Sequence, residues 1–94
     1  MAGAVSMAIL AFPSPNLTAD DETAIVAALR RGSDYCCRRD TMEDGGPALA
    51  LLNSRRQLRG HVTKRHGVYA VLDARGCAVL RTRRLAEVLA ALAR

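Results

Sequence analysis

The chain has 94 residues, and although 50% of them are nominally hydrophobic, 17 are Ala; Val, Ile, Leu, Met, Phe and Tyr together number 27. That material fits one modest core built mainly from Leu. A domain of this size buries only about 60 to 65% of its unfolded surface, so pairing with a second copy would add stability. No apolar run approaches the ~20 residues of a membrane-spanning helix, and the composition excludes a disulfide scaffold, a collagen-like chain and wholesale disorder. The net charge of +5 conceals a split: residues 1–47 hold four Arg against seven acids, and residues 48–94 hold ten basic side chains against two acids. Of the 14 basic residues 13 are Arg, whose planar fork suits phosphate oxygens and base edges.

Met1 to Phe12 is a short apolar stretch with no Lys or Arg ahead of it and no small-x-small cleavage site before Pro13-Ser-Pro15, so it does not read as a secretion signal. Residues 1–17 are expected to be an extension, with translation starting at Met1 or Met7, or to carry a short edge strand at 7–12. Residues 18–94 are expected to form a single domain. Thr18 can cap a helix over 19–31 whose first turn holds Asp20, Asp21 and Glu22 and whose stop is Gly32. Ile25, Ala28 and Leu29 share one face of it. Ser33 can cap a short second helix over 33–40 with Cys36 and Cys37 inside. After a loop at 41–46, Pro47 opens a third helix over 47–59, with Ala48, Leu49, Leu51, Leu52 and Leu58 on its apolar side.

From His61 the period changes. His61 to Arg65 and Val68 to Leu72 read as strands joined at His66-Gly67, and Asp73-Ala-Arg-Gly76 is a turn leading to a further strand over 77–81. Thr82 can cap a last helix, in which Leu85, Val88, Leu89 and Leu92 follow helical spacing. That stripe faces either the core or a second copy, as in a homodimer. The fold class expected is α+β: N-terminal helices, a small antiparallel hairpin or meander, and a C-terminal amphipathic helix.

Chemistry-bearing patterns are sparse. There is no G-x-S-x-G elbow, no H-E-x-x-H and no paired carboxylate on a rigid face, so a non-catalytic role is expected. Cys36, Cys37 and Cys77 form no even framework, and with His61 and His66 they match no zinc spacing, so neither metal nor cofactor is expected and the setting is read as reducing and cytoplasmic. Gly45-Gly46-Pro47 could hold an anion at a helix start, but Glu43 and Asp44 would repel it. With aromatics only at Phe12, Tyr35 and Tyr69, stacking on single strands is disfavoured.

The order of helix, short helix, helix and basic hairpin over residues 19–72 resembles a winged helix-turn-helix arrangement. The resemblance implies that 47–59 is the recognition helix and that Lys64-Arg65-His66-Gly67 is the wing tip. Arg55, Arg56, Arg59, Lys64, Arg65 and His66 are then the candidates for contact with duplex phosphates. The function expected is a small DNA-binding or regulatory module, with a rival reading as a protein-interaction module or inhibitor that docks its basic face on an acidic partner surface.

Overall fold

The computed structural model describes residues 16–32 and 34–93. Over those residues the chain is α+β, with helix α1 (Ala19–Gly32), strands β1 (Cys36–Thr41), β2 (Pro47–Leu52), β3 (Leu58–Arg65), β4 (Val68–Asp73) and β5 (Ala78–Thr82), and helix α2 (Leu85–Leu92). The strands form one antiparallel sheet in the order β1-β2-β3-β4-β5, each paired with its neighbour in the chain. The extension, Met7 start and edge-strand readings of residues 1–15, like the cap read at Ser33, lie outside the described residues.

α1 begins as expected. The Asp21 amide donates to Thr18 Oγ1 and the Thr18 amide donates to Asp21 Oδ2, both at 3.1 Å, which satisfies two N-terminal donors reciprocally. At its other end Gly32 lies so close to the Ala93 backbone that a side chain there would collide with it, and α1 and α2 pack together. Ile25, Leu29 and Val88 from the helices meet Leu49, Leu51, Val62, Tyr69 and Val71 from one face of the sheet, and this is the core.

Two expected helices are strands. The second, over 33–40, gives way to β1, an edge strand whose Cys37 and Arg39 sit on the helix side. The third, over 47–59, is β2, a turn at 53–57 and the start of β3. Leu49 and Leu51 face the helices, while Ala48, Ala50 and Leu52 alternate onto the other face, and all five are buried. A strand flanked on both sides by partners and apolar on both faces loses helical periodicity, and its hydrogen bonds go to β1 and β3. With no recognition helix, the winged helix-turn-helix arrangement is replaced by the meander.

The C-terminal half follows expectation more closely. His66 and Gly67 take φ of 52° and 80°, the left-handed pair of a tight hairpin. Gly76 has φ of 88°, and the Asp73 carboxylate accepts the amides of Arg75 and Cys77. α2 carries the Leu85, Val88, Leu89, Leu92 stripe against its own core, with Val88 fully buried and the three leucines partly buried. Its cap is Arg84, not Thr82; the Thr82 hydroxyl accepts the Arg84 amide one step earlier.

Candidate nucleic-acid interface

Antiparallel strands of a meander place alternate turns at opposite ends of the sheet. The β2–β3 turn, the β4–β5 turn, the start of β1 and the C-termini of both helices therefore meet at one end. The β1–β2 and β3–β4 turns and the helix starts meet at the other. This sorting decides the fate of each candidate cation.

Arg55, Arg56 and Arg59 lie at the first end, on the β2–β3 turn and the start of β3, and all three are exposed. Arg30 and Arg31 in the last turn of α1 and Arg75 in the β4–β5 turn lie at the same end. These six arginines face two aspartates of that end, Asp34 and Asp73, and the Asp73 carboxylate is occupied by backbone amides that hold its pKa below the usual range. Among the described residues none of the six is in an ion pair with a carboxylate. Basic side chains at a helix C-terminus also match the sign of the helix dipole.

The β2–β3 turn is assembled by Asn53. Its Oδ1 accepts the amides of Arg55 and Gln57 at 2.9 Å, its Nδ2 donates to Gln57 Oε1, and its carbonyl accepts the Arg56 amide. Arg56 is thereby held at φ 61°, a left-handed conformation that a side chain adopts at a cost.

The expected wing tip does not belong to this surface. Lys64 is a buried residue of the helix-facing side: its Nζ lies 3.9 Å from Asp21 Oδ2 and 4.8 Å from the centre of the Tyr69 ring. The Tyr69 hydroxyl donates to Asp21 Oδ1 at 2.8 Å, and burial together with that carboxylate pushes the phenol up to about 12. Arg65, on the opposite face, donates to both Asp44 oxygens at 3.1 and 3.2 Å and to the Pro47 carbonyl at 3.1 Å. The Arg65 guanidinium, with help from the Gly46 amide, holds the Asp44 carboxyl below its ordinary range. His66 is exposed at the tip of the β3–β4 turn, beside these acids and at the far end from Arg55. Gly45-Gly46-Pro47, read as an anion cradle at a helix start, is instead the β1–β2 turn, closed by the Gly46 amide on Asp44.

The thiols are dispersed. Cys36 and Cys37 open β1, Cys77 sits in the β4–β5 turn, and among the described residues no group of three His, Cys, Asp or Glu is gathered to hold a metal. Burial raises the Cys37 pKa, with Glu22 adding to it. His61 is on the helix-free face, its Nε2 3.1 Å from Asp40 Oδ2, and the Thr41 amide and this ring lower the Asp40 pKa.

Arg55, Arg56 and Arg59 were thus legible as a cluster, whereas Arg30, Arg31 and Arg75 join them only through topology. Nothing in their sequence spacing links the three separate positions. Among the described residues no helix is long and apolar enough to cross a membrane. No protein-family model, no curated protein and no solved structure matches this chain.

Proposed function

We propose that this chain is a small non-catalytic module that grips duplex nucleic acid by its phosphates through the basic end of the sheet. The observation that carries the reading is the convergence of Arg30, Arg31, Arg55, Arg56, Arg59 and Arg75 at one end, where among the described residues none of them is in an ion pair with a carboxylate. Elsewhere the chain does pair its arginines: exposed Arg39 binds Glu22 and half-buried Arg65 binds Asp44. Guanidinium groups left free on turns and a helix end can each take a phosphate oxygen pair, and the backbone of a duplex supplies them at regular spacing. Such contacts position a protein on nucleic acid without selecting a base sequence.

Fluorescence anisotropy with a short mixed-sequence duplex tests this. Each phosphate neutralised contributes about −0.9 to the slope of log K against log salt, so Arg55→Ala with Arg56→Ala should flatten the wild-type slope by roughly 1.8. Arg83→Ala with Arg84→Ala, at the other end, should leave it unchanged. Absence of salt-dependent binding at low ionic strength overturns the proposal. If duplex binding is negligible at about 100 mM salt while the Arg55/Arg56 variant loses a captured acidic protein, the basic end is a protein-docking surface instead.

A further inference from the structure

β1 is an outer strand of the sheet, and no described strand lies beyond it. Its backbone phase is set by the Met42 amide, which donates to the Gly46 carbonyl in the same register that pairs Asp40 with Ala48 and Arg38 with Ala50. Hydrogen-bonded pairs alternate with unbonded ones in an antiparallel ladder, so Cys37, Arg39 and Thr41 turn their N–H and C=O groups outward. The Asp40 carboxylate accepts the Thr41 amide at 2.8 Å, which leaves the donors of Cys37 and Arg39 and the carbonyls of all three open. An open edge of this kind is a template for another strand.

We propose that a second copy of this chain fills it, β1 against β1, antiparallel about a two-fold axis through Arg39. Charge selects that register. With Arg39 opposite its own symmetry mate, Arg38 of each copy lies opposite Asp40 of the other on the helix-free face, and the pair occurs twice. Moving the axis by one residue sets Arg38 against Arg38 or Asp40 against Asp40. Arg39 enters already neutralised, because both oxygens of Glu22 accept its Nε at 3.0 Å. Asp40 keeps its bonds to Thr41 and His61 and has lone pairs left for a guanidinium. The main chain matches too: the Cys37 amide meets the Thr41 carbonyl of the second copy, and the Arg39 amide meets its Arg39 carbonyl. Side by side and antiparallel, the arginine end of each copy lies beside the acidic end of the other, with Arg30 and Arg31 toward Asp20, Glu43 and Asp44. α1 permits the approach, since it presents Ala19, Thr23, Val26 and Ala27 to a cavity of about 320 Å³ shared with Arg30 and Arg39. The other outer strand, β5, has Arg81 as its one charged residue and offers no such complement.

The proposal is independent of nucleic-acid binding and is tested on the full chain by sedimentation at rising concentration. Wild type should pass from monomer to dimer, and Arg38→Glu alone or Asp40→Lys alone should weaken that association about tenfold or more, since each sets like charges opposite one another twice. An equal mixture of the two variants should recover the dimer, because both cross-strand pairs are then of opposite sign; this recovery also shows that the variants are folded. Hydrogen exchange of the Cys37 and Arg39 amides should slow as the dimer forms, with the β5 amides unchanged. A wild type that stays monomeric at millimolar concentration overturns the proposal. So do species larger than a dimer, variants that dimerise as wild type does, or a mixture that stays monomeric.

Discussion

Adjacent residues of a strand point to opposite faces, and Lys64 and Arg65 show what that does to a cationic pair. Lys64 turns inward beneath α1, where Asp21 and Tyr69 receive it; Arg65 turns outward onto Asp44. Replacing Lys64 by Ala strands the Asp21 carboxylate in a largely dry site, and we expect a loss of about 2 kcal/mol or more in urea unfolding with duplex binding by the remaining folded protein unchanged. Tyr69 gives the same site an alkaline limit. Its neutral form is favoured on folding, with a pKa of about 12 against 10.0 for the free phenol. Its contribution is therefore complete below pH 10 and is lost as the pH rises from there towards 12. A Tyr69→Phe chain should be less stable at neutral pH and show a weaker decline above pH 10. Arg56 poses the opposite case, a side chain kept in a conformation better suited to Gly. Arg56→Gly should raise stability by about 1 kcal/mol while weakening duplex binding, a trade that a merely structural turn residue would not show.

Among the elements, those governed by turn chemistry and capping were the most readable. Thr18 with Asp21, His66-Gly67 and Asp73 with Gly76 are local devices, and each does in the fold what its residue types allow. The run Pro47-Ala-Leu-Ala-Leu-Leu52 reads as a helix because Ala and Leu are strong helix formers and a doubly buried strand leaves no polar alternation to betray it. Tertiary pairing on both sides outweighs that propensity. β1 was obscured for another reason: on an edge strand, Arg38 and Arg39 stay partly in solvent, so its burial gives little periodic signal. The stripe on α2 was plain, and its burial sets a testable cost. Leu89→Asp should destabilise the protein by about 2 kcal/mol or more by thermal melting, because it puts a carboxylate against Val88 and the sheet.

Over the whole molecule, the fold converts a division between chain halves into a division between ends. Asp20, Asp21 and Glu22 at the start of α1, with Asp40, Glu43 and Asp44 around the β1–β2 turn, lie opposite the arginine end. The basic hairpin of the sequence, read as a wing, is folded into the acidic end, and this is why half of the expected interface was lost. Three carboxylates, Asp40, Asp44 and Asp73, have pKa values lowered from 3.8. Groups shifted in that direction stabilise the fold above their unfolded value, and the contribution disappears as the pH falls through the lowered folded values. Urea midpoints should therefore drop on acidification below about pH 4, and Asp44→Asn with Asp73→Asn should shallow that drop.

Strict nearest-neighbour pairing in the sheet also bears on how the chain reaches its native state. Each strand closes on the one made just before it through a turn of five residues or fewer, so loop-closure entropy is small and the meander can assemble progressively, including during synthesis. Docking of α2 on α1 joins the two ends of the described chain, and we expect it to follow assembly of the sheet. In rapid-mixing experiments Val88→Ala should accordingly speed unfolding several-fold and leave refolding almost unaltered, whereas Val62→Ala, in the central strand, should slow refolding.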